Sequence, residues 1–251
     1  MPKTVVMLPT YNEAENLPRM LEALLALPVG GLGVLVVDDT SPDGTGELAD
    51  TWAKRTPDRV FVLHRKEKNG LGRAYVEGFK RALTLGADLI VQMDADFSHQ
   101  PHYIPGLLDA ARDSDMVIAS RYTRGGTVDE SWSPFRKLLS WFANSVYVRV
   151  VMGLPVSDAT GGFRVWRRPT LIGIDLDRIR SNGYICNVEL TYVTHRLGYK
   201  IREEPIHFPD RELGESKMSL RIQTEAALRT WQIRQRHRHL KPPMRRSQAY
   251  V

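Results

Sequence analysis

Asp94-Ala95-Asp96 places two carboxylates one residue apart, directly behind the apolar run Leu89-Ile90-Val91-Gln92-Met93. Hard oxygen donors at that spacing can share a divalent cation, or divide between a metal and a ribose hydroxyl. Acids also end many strands simply facing solvent, and the pair alone leaves both readings open. A second pair, Asp38-Asp39, ends another apolar run, Gly33-Val34-Leu35-Val36-Val37. Two acidic clusters on one rim strengthen the metal reading, because crowded like charges disfavour one another unless a cation offsets them. Arg121 follows a third run, Met116-Val117-Ile118-Ala119, and should reach the same rim. It suits either a phosphate clamp or a salt bridge to one of those aspartates. Arg211 and Lys217 flank Gly214-Glu215-Ser216 in a polar stretch that is either a loop closing over a diphosphate or a solvated turn. Lys68-Asn69-Gly70-Leu71-Gly72-Arg73 offers helix-start amides to a phosphate or a plain tight turn, and His99 is a candidate ligand or a structural histidine.

The elements that must position these groups alternate in type. Short apolar runs at residues 4–8, 33–37, 60–63, 89–93 and 115–119 read as strands, the first stopped by Pro9. Between them, Leu17, Met20, Leu21, Leu24 and Leu25 recur at three and four, and residues 43–55, 72–85 and 104–112 also carry helical patterns. Strand–helix alternation of this kind predicts an α/β fold with a mostly parallel central sheet flanked by helices, whose ligands lie at the carboxyl ends of the strands. Past Arg121 the regularity weakens. Residues 122–134 and 157–164 read as loops, 135–152, 188–197 and 220–236 as helices, and 200–208 as an edge strand. The polar end beyond residue 242 is expected to be disordered, giving a catalytic domain over 1–225 and a basic segment over 226–251.

Composition narrows the function classes. Seven of the 35 basic residues lie after Glu225 and none of the 29 acids does, so the body carries a net charge of −1 within a total of +6. A nucleic-acid-binding domain would spread its positive excess over the fold and is therefore disfavoured. The single Cys186 excludes an internal disulfide framework. The first residues lack a signal-peptide core and no apolar stretch is long enough for a simple span, so a cytoplasmic location is expected. GxxxxGK[ST], GxGxxG after the first strand, and GxSxG are all absent, which removes the main signatures of P-loop NTPases, Rossmann dehydrogenases and α/β-hydrolases.

The ordered set of motifs resembles a known family. Leu8-Pro9-Thr10-Tyr11-Asn12-Glu13, Val36-Val37-Asp38-Asp39, Ser41-Pro42-Asp43-Gly44-Thr45 and Asn69-Gly70-Leu71-Gly72 are similar to family 2 inverting glycosyltransferases of the GT-A type. Asp94-Ala95-Asp96-Phe97-Ser98-His99, Ser120-Arg121-Tyr122 and Gly214-Glu215-Ser216-Lys217-Met218 resemble the dolichol-phosphate or polyprenol-phosphate mannosyltransferases within it. The resemblance spans roughly residues 4–220. It implies a Rossmann-like GT-A fold, GDP-mannose as donor, and a polyprenol or dolichol monophosphate as acceptor. Pro9, Tyr11, Glu13, Val37 and Asp39 match base- and ribose-contacting positions. Asp94, Ala95 and Asp96 match the donor and metal segment, with Asp96 the firmest ligand of Mg²⁺ or Mn²⁺. Where some relatives carry Gln, this chain has Ser98 as a further metal ligand. Arg121, Arg211 and Lys217 match phosphate positions, Arg136 the place of a second acceptor-phosphate arginine, and Asp158-Ala159-Thr160-Gly161-Gly162-Phe163-Arg164 borders the acceptor region.

The implied chemistry is attack of the lipid phosphate on mannose C1 with inversion, Arg211 and Lys217 stabilising departing GDP. A phosphate, with a second pKa of about 6, already bears charge, so no protein base is assigned. The stripe Phe135, Leu138, Leu139, Phe142, Val146 and Val150 reads either as a groove or membrane edge or as a helix packed on the sheet, roles that two faces can share, with Leu138 and Val146 inward and Trp132 and Trp141 near lipid. The resemblance further implies a peripheral place on the cytoplasmic face of a membrane surface, held directly or by a separate membrane-anchoring subunit, while the charge of the basic end suits either a membrane or membrane-partner contact or a disordered, solubilising tail. The alternatives are transfer of glucose or N-acetylglucosamine from a UDP-sugar, and a non-catalytic nucleotide-binding membrane scaffold.

Overall fold

The structure, a computed structural model, describes residues 3–210, 220–248 and 250, the side chains of 220–227 excepted. Arg211 and Lys217 lie outside the described residues.

Seven strands form one sheet in the order β3-β2-β1-β4-β7-β5-β8. Strands β1 (Thr4–Thr10), β2 (Leu32–Asp38), β3 (Val60–His64) and β4 (Leu89–Gln92) are mutually parallel, as the alternation of apolar runs and helices predicts. Both faces are covered, so the strands are apolar throughout. Val5 and Met7 of β1 pack on α3 (Leu71–Thr84) and α8 (Ile185–Arg196). Val6 and Leu8, facing the other way, pack on α1 (Leu17–Leu25) and α4 (Ile104–Ala110).

β1 continues through Pro9 rather than stopping there. Pairing with β4 ends at Met7–Gln92, and Met93 donates its amide to the Met7 carbonyl. Strand alternation turns Pro9 to that same side, beyond the end of its neighbour, where the missing N–H breaks no ladder bond.

The second half differs more from expectation. Residues Arg164–Arg167 form β7, which runs antiparallel between β4 and β5 (Met116–Ser120). β8 (Ile201–Pro205) is the expected edge strand, parallel to β5. It stops at Ile206, and β9 (His207–Phe208) pairs instead with β6 (Thr127–Val128), which lies inside the expected loop 122–134. The helix expected over 135–152 is present as α5 (Pro134–Trp141), a π-helical stretch Phe142–Val148 and α6 (Arg149–Met152). Its stripe turns outward, however. Phe135 is 71%, Leu138 62% and Val150 72% exposed, whereas Trp132 is buried. The inward placing of Leu138 and the lipid-facing placing of Trp132 are thus both reversed, because Asn144, Val148, Val151 and Met152 occupy the inward face.

The basic end is not a free tail. The helix α9 (Leu220–His237) runs unbroken across the expected boundary at 225/226. Ile233, His237 and Leu240 are buried at helical spacing. Arg245 donates to the Leu197 and Gly198 carbonyls that end α8, and Arg246 pairs with Asp175 and Asp177. The local charge excess therefore caps a helix and joins carboxylates of the body, which holds these residues in place.

Candidate active-site rim

The loops behind β1 and β2 are tied into one unit. Asp38 accepts from Thr10 Oγ1 (3.3 Å), Ser41 Oγ (2.6 Å) and the Ser41 amide (3.1 Å). Ser41 Oγ then receives the Asn12 amide at 3.1 Å, and Thr45 Oγ1 the Glu13 amide at 3.0 Å. Asp43 accepts the Ala14 amide and the Thr45 hydroxyl. Asn12 and Thr40 sit at φ +60° and +58°, a left-handed conformation that this network holds in place. Asp38 thus orders the segment that carries Tyr11 and Glu13. Val37 packs its side chain into the core beneath α3, so only its backbone is available to a ligand.

Asp39 is buried beside Arg65, whose side chain is 1% exposed. The same guanidinium meets Asn69 and, at 3.1 Å, Glu77. Burial raises the Asp39 pKa, and the Arg65 and Lys68 charges oppose that rise. Lys68 Nζ lies 3.0 Å from the centre of the Tyr11 ring, so the 65–69 segment closes over the loop after β1.

Asp94, Ala95 and Asp96 follow β4, beside β1 in the sheet. Tyr75 donates to Asp94 Oδ1 at 3.3 Å, and His99 Nδ1 accepts the Asp94 amide at 2.8 Å. That bond leaves the ring proton of a neutral His99 on Nε2. Its ring packs between Phe163 and Phe208, so His99 supports the turn through the backbone. Ser98 donates to Asp96 Oδ1 through its hydroxyl (2.5 Å) and its amide (3.1 Å). Its hydroxyl hydrogen is thereby directed at Asp96. Two hard oxygen donors fit Mg²⁺ or Mn²⁺. No group of three or more His, Cys, Asp or Glu side chains suited to a metal occurs among the described residues.

Arg121 reaches the rim but pairs with none of the strand-end aspartates. Its Nε and Nη2 lie 2.7 Å from the two carboxylate oxygens of Asp158, and Nη2 also reaches Thr160 Oγ1 at 3.1 Å. Arg164, fully buried, grips the same loop through the carbonyls of Gly161 (2.7 Å) and Ala159 (2.7 Å), and bonds Asn187 (3.0 Å). Its burial lowers its pKa to about 10. Arg136 lies at the start of α5, stacked on Trp132 with 3.7 Å to the ring centre and paired with Asp210 at 3.3 Å.

Comparison with known proteins gives the family. A model of glycosyl transferase family 2 matches residues 5–173. The chain belongs to that family. The undecaprenyl-phosphate mannosyltransferase of Micrococcus luteus is 51% identical over 90% of this chain and 91% of its own length. The polyprenol monophosphomannose synthase of Mycolicibacterium smegmatis is 45% identical over 93% and 88%. Among solved structures, the mannosyltransferase PcManGT from Pyrobaculum calidifontis, in complex with GDP-Man and Mn²⁺, superposes with a TM-score of 0.61 at 20% identity. That match covers 90% of this chain and 62% of the other. Glucosyl-3-phosphoglycerate synthase from Mycobacterium tuberculosis, with Mn²⁺ and UDP-glucose, gives 0.61 at 16% identity over 94% and 79%. These two likenesses establish the GT-A fold. Arg65, Tyr75 and Asp158 join the family's sequence motifs as partners of Asp39, Asp94 and Arg121. Asp158 was visible only as part of a motif without contacts, and Arg65 carried no signal beyond its place after β3.

Proposed function

We propose that this protein transfers mannose from GDP-mannose to a polyprenyl monophosphate with inversion, releasing GDP. The reading is carried by the identity to two polyprenyl-phosphate mannosyltransferases over nearly the whole chain. Pro9, Tyr11, Glu13, Asp39 and the Val37 backbone surround the nucleoside. Asp94 and Asp96 hold a divalent cation, with Ser98 acting through Asp96. When bound, that cation offsets the charge gathering on the diphosphate as it departs. Arg211 and Lys217 serve the same diphosphate.

A phosphate oxygen of the acceptor forms the new bond to mannose C1 as the bond from C1 to the donor diphosphate breaks. The acceptor arrives already ionised, so the protein's task is to place it. Asp158 takes up Nε and Nη2 of Arg121 and so aims the remaining Nη1 amino group. Arg136, steadied on Trp132, supplies the second positive charge.

No helix among the described residues is long and apolar enough to cross a membrane. Phe135, Leu138, Trp141, Phe142 and Val150 are exposed, as are Leu228 and Trp231 of α9, and α9 meets α6 where Arg234 Nη1 donates to the Val151 carbonyl at 2.7 Å. Such a face suits shallow insertion at a bilayer surface. The enzyme therefore acts as a peripheral protein on the cytoplasmic leaflet, directly or with an anchoring subunit.

The test offers labelled GDP-mannose, UDP-glucose and UDP-N-acetylglucosamine to polyprenyl phosphate, with Mg²⁺, with Mn²⁺ and with chelator. Metal-dependent mannosyl lipid is the expected product. Transfer from UDP-sugars alone would overturn the mannose assignment, and nucleotide binding without product would leave a scaffold.

A further inference from the structure

A buried carboxylate away from the rim joins the last helix to the donor side. Glu189 on α8 is fully buried. Its Oε2 accepts the backbone amides of Arg180 (3.0 Å) and Ser181 (2.7 Å). Its Oε1 accepts from His237 Nε2 (2.7 Å) and Arg236 Nη1 (3.0 Å) on α9. Burial by itself raises this carboxyl's pKa, but the His237 hydrogen bond and the Ser181 amide outweigh it and hold the value at about 2.

The backbone that Glu189 grips is the floor beneath the turn opening α3. Asn182 Nδ2 donates to the Asn69 carbonyl at 2.5 Å. A Cβ on Gly72 would strike the Ser181 carbonyl oxygen, and one on Gly70, at φ +103°, would strike the Asn182 side chain. Both glycines allow the turn to lie directly on residues 181–182. From the turn, Asn69 Oδ1 meets the Arg65 guanidinium, which also holds Asp39. Every step from α9 to Asp39 is a hydrogen bond, an ion pair or a contact too close for a methyl group.

We infer that Glu189, gripped by His237 and Arg236, is a positioning residue for donor binding, setting the 69–72 turn and through Arg65 the placement of Asp39. The helix beyond the family-matched segment is then part of the donor site's support. Which substrate feels the change rests on the donor reading above. A brace serving only the fold would weaken both substrates alike, whereas the bonds from Glu189 through Ser181, Asn182 and Asn69 lead to Arg65 and Asp39.

The test compares the full-length protein with His237→Ala, His237→Gln and Asn182→Ala. Asn182 is exposed, so its substitution spares the core. The readouts are GDP affinity by calorimetry with Mn²⁺, KM for GDP-mannose and for polyprenyl phosphate, and amide exchange over residues 65–73. His237→Ala and Asn182→Ala should weaken GDP binding and raise the donor KM about three- to tenfold, with the acceptor KM within about twofold. Exchange over 69–73 should quicken in both. His237→Gln, which can place an amide donor where Nε2 stood, should recover most of the loss. Asn182→Ala should act at an unchanged melting temperature. Equal losses for both substrates, or wild-type donor KM and exchange in both alanine variants, would overturn the inference. Wild-type turnover of GDP-mannose is the separate control on the donor reading. Should the wild type use UDP-sugars instead, the same comparison with UDP tests the brace on its own.

Discussion

Arg121 and Asp158 form a two-pronged ion pair behind β5, with Nε on one carboxylate oxygen and Nη2 on the other, both at 2.7 Å. Asp158 is fully buried and also accepts the amides of Arg121 and Gly161. The Asp158 amide is in turn held by Glu203 of β8 at 2.9 Å. The pair thus links β5, the 157–162 loop and the edge strand, and it fixes the direction in which the guanidinium can serve a phosphate.

Asp158→Asn should leave the guanidinium without its countercharge. Removing one partner of a buried pair costs about 3–5 kcal/mol, which urea denaturation will read as a lowered midpoint. A change under about 1 kcal/mol would mean that the pair is dispensable for the fold. In a variant that still folds, the loss of turnover should fall on the acceptor KM more than on the donor KM.

Glu189 makes acid stability predictable in sign. Its pKa falls from 4.5 to about 2 on folding, so its contribution is complete above pH 4.5 and disappears as the pH drops toward 2. The shift corresponds to a stabilisation on the order of 3 kcal/mol. Urea midpoints at pH 6, 4 and 3 should decline in the wild type, and the decline should flatten in Glu189→Gln. Parallel curves for the two proteins would contradict the assignment of that acid sensitivity to this side chain.

Asp96→Asn should retain the fold and lose turnover by about a hundredfold or more, since a cation-holding carboxylate is removed from a charge-stabilising site. Mn²⁺ binding followed by electron paramagnetic resonance should weaken in parallel. Chelation of the wild type should abolish transfer and added metal restore it. Ser98→Ala, which removes a bond to Asp96, should reduce metal affinity by less than Asp96→Asn does.

The exposed apolar side chains of residues 135–150 can be tested without disturbing the core. Leu138→Ser combined with Phe142→Ser alters two exposed side chains, 62% and 49% accessible, so the stability should move by no more than about 1 kcal/mol. Sedimentation with anionic vesicles should fall about tenfold, which is roughly the loss of two partly inserted side chains. Transfer to a short-chain, water-soluble prenyl phosphate should be unchanged. Equal vesicle recovery of variant and wild type would remove this face from membrane contact.

The first four strands, the helices between them and the acidic residues at strand ends were all legible in the order of amino acids. Each is a local pattern: a run of four or five apolar residues, a three-and-four repeat, a charged residue where the run stops. The strand β7 escaped because Arg164-Val165-Trp166-Arg167 is short and half basic, and only its neighbours β4 and β5 make it a strand. The facing of Leu138 and Trp132 escaped for a related reason. An apolar stripe records that a helix has two faces, and the packing partner decides which face is covered.

By itself, the sequence determined an α/β sheet with its carboxylates gathered on one rim, because strand period and chain order place those groups together whatever the details. Tertiary structure alone decided that Arg121 answers to Asp158, 37 residues away, that Arg65 braces Asp39, and that the basic end is built into the body through Glu189. A charge in a sequence has a sign and a position. Its partner is chosen by the folded chain, where burial makes an unpaired charge too costly to leave and brings distant residues close enough to supply the pair.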